Sequence, residues 1–191
     1  MFRRASIYGL MIQLVLVGAA LAQEEGAKPD YSRTGLYAGV GGSYVIQAFD
    51  TQDDSSNFWG VGGRAGYRFH QLLAAELAFD FFDNFGGFDD TRTTQQIDAN
   101  AWAITANGKM YPESLTGRFQ PYGIMGVGVM RMDQSSEDAR TEVVGRFGAG
   151  FDFHLNEEAR LYLEGALLYP GGSLNDFRSV PLQLGFQYRL N

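Results

Sequence analysis

Apolar and polar positions alternate with a period of two through most of the chain. In residues 58–69 the odd-numbered positions are apolar or glycine. The even-numbered positions from 60 to 68 hold glycine or arginine. Four more segments show the same period, at residues 73–81, 143–153, 161–169 and 180–190. A period of two is typical of β-strands whose two faces lie in different surroundings. The sequence therefore predicts at least five β-strands.

Three further segments complete a set of eight predicted strands, at residues 35–49, 97–111 and 122–132. The alternation slips near residues 98–101, where we predict a β-bulge or a later strand start. Acidic loops rich in Gly or Ser are predicted around residues 50–57, 83–93, 133–140 and 170–178. The connections at residues 70–71 and 154–159 are brief, and 111–117 is a longer exception. Short turns alternating with longer loops are typical of outer-membrane barrels, with the turns in the periplasm.

The start of the chain predicts export. Arg3 and Arg4 precede an apolar run over residues 7–19 and an Ala20-Leu21-Ala22 sequence, which is the pattern of a secretory signal peptide. The alternative is a transmembrane anchor, but Gln13 interrupts the run, which is shorter than the roughly 20 residues that a spanning helix needs. We therefore predict a signal peptide at residues 1–22, a solvated periplasmic lead-in at 23–33 and a barrel at 34–191.

Composition excludes several classes of protein. The chain has no cysteine, which excludes a disulfide scaffold, a cysteine-linked lipid anchor and cysteine-based metal sites. Without residues 1–22, 13 basic residues face 22 acidic ones, a net charge of −9. This balance argues against nucleic-acid binding, which depends on Lys and Arg at phosphates. The 25 Gly, 15 Phe and 10 Tyr favour strands over helices.

The polar face of the predicted strands carries glycine beside charged residues at mid-strand. Such a face suits the filled lumen of a narrow barrel of about eight strands, with the apolar face against lipid. The predicted lumen charges are Arg64, Arg68, Glu76, Asp80, Arg146, Asp152 and Glu164. The predicted interfacial girdles are Trp59, Tyr67, Phe69, Phe79, Phe81, Tyr169 and Tyr188. A soluble exported sandwich or lipocalin-like barrel is the alternative, but it does not explain the aromatic residues at strand ends.

Several short motifs, in this order, resemble the small outer-membrane β-barrel families of the OmpA/OmpX type. They are GGRAGYRF at residues 62–69, AEL at 75–77, PYxxxGxG at 121–128 and GAGFD at 148–152. The resemblance spans the mature chain and implies an all-β fold, an eight-stranded antiparallel up-and-down transmembrane barrel. Gln183, Gly185, Tyr188 and Leu190 also resemble the C-terminal signal that the barrel-assembly machinery recognises, although the usual terminal aromatic is absent.

The lumen charges allow two interpretations. Arg64 and Arg68 share a face with Glu76 and Asp80, and Arg146 shares one with Asp152 and Glu164. Breaking a buried pair costs about 3–5 kcal/mol, so we expect these charges to pair and form a structural plug. The alternative is a narrow, charge-lined pore.

Catalysis and cation binding have weaker support. Small barrel enzymes that act on lipid A resemble this fold and use a histidine with serine or acidic partners. His70 and His154 fall in predicted periplasmic turns, and neither begins a His-x-Ser pattern.

The predicted loops carry acidic motifs, at Asp50-x-x-Asp53-Asp54, Asp89-Asp90 and Glu137-Asp138. These motifs lack the spaced ligands of a Ca²⁺ loop. The aromatic residues of the FGGF motif at 85–88 are a candidate loop-tip contact. The alternative is that these rings rest on the membrane surface.

These features predict a non-enzymatic protein of the Gram-negative outer membrane, without cofactor or metal. Its plugged barrel and acidic loops would serve envelope integrity or surface interaction. The expected partners are outer-membrane lipid, lipopolysaccharide and, during biogenesis, the assembly machinery, with the chain as a monomer. The alternative is a small porin-like pore or a lateral conduit for ions or apolar molecules.

Overall fold

The computed structural model describes residues 31–47, 58–83, 99–113, 117–134, 137–172 and 178–190. The predicted signal peptide, the first part of the lead-in and most residues of the predicted loops lie outside these ranges. The strands are β1 (Gly35–Gln47), β2 (Phe58–His70), β3 (Leu73–Asp83), β4 (Ala99–Met110), β5 (Phe119–Gln134), β6 (Glu137–His154), β7 (Ala159–Pro170) and β8 (Ser179–Leu190).

The eight strands form a closed antiparallel barrel in which each strand pairs with the next along the chain. The barrel closes where β1 pairs with β8, from Leu36 opposite Leu190 to Gln47 opposite Ser179. The predicted eight-stranded up-and-down barrel is confirmed. Below, the terminal end is the end where β1 begins and β8 finishes, and the loop end is the opposite one. Within the described ranges, no helix is long and apolar enough to cross a membrane.

The two faces of each strand differ as the alternation predicts. In β3, buried and exposed positions alternate from Leu73 to Asp80. Many outward apolar side chains are more than half exposed, as at Val127 on β5 (58%) and Leu184 on β8 (61%). Inward side chains are buried even where they are charged, as at Arg146 (0%). The apolar residues thus coat the outside of the barrel, and the polar residues fill it.

The structure decides two local predictions. Of the two alternatives predicted near residues 98–101, the later strand start agrees with the structure, because β4 begins at Ala99. Ala99–Met110 contains no bulge and pairs in continuous register with both neighbours. The register shifts lie between Arg68 and His70 and between Met132 and Gln134. The stretch predicted as a loop at residues 133–140 is mostly strand, because β5 runs to Gln134 and β6 starts at Glu137. The β5–β6 pairing continues to Gln134 opposite Glu137, although residues 133–140 have no apolar alternation.

Two residues near the end of the predicted lead-in are buried rather than solvated. Tyr31 and Ser32 are both buried (3% exposed). The Tyr31 ring lies 5.1 Å from the His154 ring, centroid to centroid, and its hydroxyl accepts a hydrogen bond from Arg118 Nε at 3.0 Å. The chain therefore packs against the terminal end before β1 begins.

The interior is arranged in three layers along the barrel axis. An apolar layer lies at the loop end and comprises Val45, Phe82, Ala101, Ala103, Met130, Met132, Val144 and Leu168. Charged side chains fill the middle, and tyrosines with two further arginines lie toward the terminal end. The charged groups of the interior therefore lie in its middle and terminal layers.

Candidate functional site in the charged interior

Glycine on the inward faces makes room for the large interior side chains. Tyr37 lies opposite Gly66 in the β1–β2 register, and Tyr122 lies opposite Gly150 in the β5–β6 register. A Cβ atom at either glycine would fall on the ring of its tyrosine partner. The glycine–aromatic composition of the strands therefore seats tyrosine rings across the barrel wall, where their hydroxyls reach the charged groups.

Glu164 on β7 is the centre of the middle layer, which we call the central cluster. Arg64 on β2 donates to both of its carboxylate oxygens, at 2.8 and 3.0 Å. Arg146 on β6 donates to it at 2.7 Å, and the Tyr122 hydroxyl donates at 2.8 Å. This carboxylate is completely enclosed by donors from three other strands.

Asp80 and Gln183 extend the central cluster toward β3 and β8. Arg146 donates to Asp80 at 2.6 Å, and the Gln183 amide donates to the same carboxylate at 2.5 Å. The Gln183 carbonyl oxygen accepts from Arg146 at 3.1 Å and also from Arg64. Gln183 therefore links the two arginines to each other.

Glu76 on β3 forms the other side of the central cluster. Its carboxylate lies 2.7 Å from Lys109 Nζ and 3.2 Å from Arg64 Nη1. The Tyr37 hydroxyl donates to it at 3.0 Å. Lys109 Nζ also lies 4.5 Å from the centroid of the Tyr122 ring, which stabilises the ammonium through a cation–π contact.

A second group, the terminal cluster, contains Arg68, Tyr111, Gln120, Asp152 and Arg160. Asp152 accepts from the Tyr111 hydroxyl at 3.0 Å and lies 3.4 Å from Arg160 Nη1. Burial raises the pKa of Tyr111 well above its ordinary value, and the Asp152 carboxylate raises it further. The hydroxyl therefore stays protonated and acts as a donor. Arg68 lies 4.0 Å from the centroid of the Tyr111 ring and donates to Gln120 at 2.8 Å.

The ion pairs of the central cluster cross the lumen. Arg146 and Asp80 stand on β6 and β3, which are separated by β4 and β5 in the sheet. Arg64 and Glu164 stand on β2 and β7, which are separated by β1 and β8. Side chains from opposite parts of the wall thus meet on the barrel axis.

All seven predicted lumen charges are buried in the interior, but several pairings differ from those expected. Arg146 binds Asp80 and Glu164 rather than Asp152. Arg68 binds neither Glu76 nor Asp80 and belongs to the terminal cluster.

Two of the cations in the interior lie outside the predicted set. Lys109 has the same parity as Asn107 on the polar face of β4, so the alternation already placed it inward. Arg160 has the parity of Glu164, but it precedes the predicted start of the seventh strand at residue 161. The observed strand starts at Ala159, so an earlier predicted start would have included it.

Comparison with known proteins identifies the architecture. The family model described as outer membrane protein beta-barrel domain matches residues 12–191. The chain belongs to this family. Family membership indicates that the protein resides in the outer membrane. A search of curated protein sequences gives no significant match.

Solved outer-membrane barrels share the fold at low sequence identity. Neisserial surface protein A matches with a TM-score of 0.68 and 15% identity, over 82% of this chain and 97% of that one. OprG of Pseudomonas aeruginosa matches with a TM-score of 0.58 and 16% identity, over 83% of this chain and 97% of that one. Ail, the attachment invasion locus protein of Yersinia pestis, matches with a TM-score of 0.57 and 19% identity, over 83% of this chain and 100% of that one.

The outer surface of this outer-membrane barrel has aromatic rings near both ends. Trp59 and Tyr169 lie near the loop end, and Tyr67, Phe69 and Tyr188 lie near the terminal end. Trp59 packs edge-on against Tyr44, with 5.2 Å between ring centroids. Rings at two levels are the arrangement expected of side chains at two membrane interfaces.

The two histidines lie at the terminal end, at the last positions of β2 and β6. His70 Nδ1 accepts the backbone N–H of Leu72 at 3.2 Å. His154 is buried, and its Nδ1 lies 3.3 Å from the Arg118 carbonyl oxygen. Among the residues that the structure describes, no group of three His, Asp or Glu side chains could hold a metal ion. The acidic motifs at residues 50–54 and 89–90 lie outside the described residues. At residues 137–138 the structure describes the backbone only.

The residues of the predicted assembly signal divide between the two faces of β8. Gln183 faces inward and binds Asp80 and both central arginines, and Gly185 makes room for the ring of Tyr162. Tyr188 and Leu190 point outward and are exposed. The inward pair thus has a packing role in the folded barrel, and the outward pair remains accessible.

Proposed function

We propose that this barrel is a non-enzymatic outer-membrane protein whose interior is a plug and which acts through its surface. Its role is envelope integrity or surface interaction at the loop end. The observation that carries the proposal is the convergence of Arg64 and Arg146 on Glu164 across the lumen. A barrel of eight strands has an interior just wide enough for side chains to fill, so bridges of this kind occupy the space that a solute would need.

The energetics of the central cluster favour a permanent plug. Arg64, Arg146 and Glu164 are each at most 4% exposed. Opening a path would separate buried ion pairs, and leaving one buried charge without its partner costs about 3–5 kcal/mol. The apolar layer above the cluster would also have to part, since its members are packed side chains with little exposed area. Both layers resist passage of a hydrated ion.

The competing function is a small pore or a lateral conduit for ions or apolar molecules. Planar-bilayer recordings of the refolded chain distinguish the two. We expect the parent to be silent and the double variant Arg64→Ala/Glu76→Ala to conduct. This variant keeps the cluster neutral, because Arg146 and Lys109 remain opposite Asp80 and Glu164.

A matched control removes an ion pair of the same type from the surface. Arg33→Ala/Glu157→Ala deletes an exposed pair, and it should stay as silent as the parent. Heat-modified mobility on gels reports whether each variant has refolded into a barrel. Steady, ion-selective conductance in the parent would overturn the plug and support the pore.

Several expectations from the sequence belong to the same proposal. Outer-membrane lipid and lipopolysaccharide are the proposed surroundings and partners of the apolar belt and the loops. The signal peptide at residues 1–22, recognition of the last strand by the assembly machinery and the monomeric state remain predictions.

A further inference from the structure

The terminal cluster carries an excess positive charge that the central cluster does not. In the central cluster, Arg64, Lys109 and Arg146 face Glu76, Asp80 and Glu164, so the six charges cancel. The terminal cluster has two buried arginines, Arg68 and Arg160, but a single carboxylate, Asp152, which pairs with Arg160. Among the described residues, one buried positive charge in the interior is therefore without a counterion.

Arg68 carries this excess charge. Arg68 is 2% exposed as a residue, and its guanidinium makes no ion pair with any carboxylate of the described residues. Its contacts are the Gln120 side-chain oxygen at 2.8 Å, the Gln71 carbonyl oxygen and the face of the Tyr111 ring. These groups are neutral, so they solvate the cation without balancing it.

The same region contains unused hydrogen-bond donors. Arg68 Nε, Arg160 Nη2 and Gln120 Nε2 are buried and have no partner among the described residues. Asp152 Oδ1 is the one unused oxygen of the cluster within that part of the chain. A buried donor without a partner destabilises the folded state, because it has lost its hydrogen bonds to water. The cluster therefore has more unused donors than unused acceptors, and it has two positive charges for one negative charge.

We propose that the terminal cluster binds one small monovalent anion, chloride, against the unused N–H groups of Arg68, Arg160 and Gln120. The ion would neutralise the excess charge and accept the unused donors at once. Water would satisfy some donors but would leave the charge uncompensated in a low-dielectric interior. Tyr31 packs on His154, and His154 lies opposite Arg160 in the β6–β7 register. The inference is independent of whether the barrel is a plug.

Chloride dependence of stability tests the site. An anion that binds only the folded barrel raises the folded-to-unfolded ratio by the factor 1 + [Cl⁻]/Kd. A tenfold rise in chloride above Kd should therefore raise this ratio about tenfold in the parent, at ionic strength held constant with gluconate. Urea titration of the refolded barrel in micelles measures the ratio.

Two variants separate the site from general salt effects. Arg68→Gln removes the excess charge and should abolish the chloride dependence while the barrel still folds. Arg131→Gln removes an exposed arginine that binds Asp133, and it should respond to chloride as the parent does. Equal chloride dependence in the parent and Arg68→Gln would overturn the proposal.

Bromide gives a direct view that does not depend on stability. Crystals of the refolded chain grown in bromide should show an anomalous peak within hydrogen-bond distance of Arg68 and Arg160. Only an ordered water at that position, with no anomalous signal, would contradict an anion site.

Discussion

At the scale of single residues, glycine and tyrosine are matched across the barrel wall. Tyr162 on β7 lies opposite Gly185 on β8, just as Tyr37 lies opposite Gly66. The tyrosine ring packs over the glycine, which has no side chain. The Tyr37 hydroxyl then donates a hydrogen bond to Glu76. Glycine normally weakens a strand, but here it creates the space for the ring that supports a charged group.

Gly66→Val and Gly63→Val on β2 test this matching. A Cβ at Gly66 meets the Tyr37 ring and the Ala75 carbonyl oxygen, whereas a Cβ at Gly63 meets nothing within 4 Å. We expect the first variant to lose about 1–3 kcal/mol of unfolding free energy through overpacking. The second should stay within about 0.5 kcal/mol of the parent. Urea unfolding in lipid vesicles measures both, and equal losses would show that the Tyr37 contact is not the cause.

Residue parity is the part of the charged interior that the sequence predicts. Alternation places Arg64, Glu76 and Glu164 inward because a strand turns successive side chains to opposite faces. It cannot predict that Arg146 binds Asp80, since that contact depends on how far the tilted strands are staggered when the barrel closes. For the same reason, the alternation does not predict that Arg68 lacks a carboxylate partner.

At the scale of elements, the β5–β6 hairpin extends beyond the apolar pattern. The two strands have 16 and 18 residues, whereas β3 has 11. A transmembrane strand needs about 9–11 residues, so the extra length lies past the apolar belt. Alternation of apolar residues detects only the part of a strand that faces lipid, and the polar extension was therefore predicted as a loop.

The segment before β1 is an element that alternation does not detect. Tyr31 contributes a ring packed on His154 and a hydroxyl that accepts from Arg118. We expect Tyr31→Ala to lower the unfolding free energy by about 3 kcal/mol, since truncating a buried aromatic leaves a cavity. Tyr31→Phe keeps the ring and should lose only about 1 kcal/mol with the hydrogen bond. Denaturant titration of both variants gives the comparison, and a loss as large in Phe as in Ala would assign the effect to the hydroxyl alone.

At the scale of the whole molecule, closure follows from the combination of strands and lipid. Every backbone N–H and C=O in a bilayer must pair within the protein, which leaves closed barrels as the solution for an all-strand chain. The pairing of β1 with β8 provides that closure. The prediction of eight strands was enough for the topology, but the register in which the first and last strands meet needed the structure.

The outward surface provides the last test, because water and lipid treat it differently. Val127 is 58% exposed near the middle of β5, and Leu73 is exposed at the terminal end of β3. In a bilayer, Val127→Arg should cost about 2–4 kcal/mol of unfolding free energy, and Leu73→Arg about 0–1 kcal/mol near the interface. On a surface in contact with water, both changes would fall within about 0.5 kcal/mol of the parent. Unfolding of the two variants in lipid vesicles distinguishes these cases. A depth-dependent cost would identify the apolar faces as the lipid belt, whereas equal and small costs would place this surface in water.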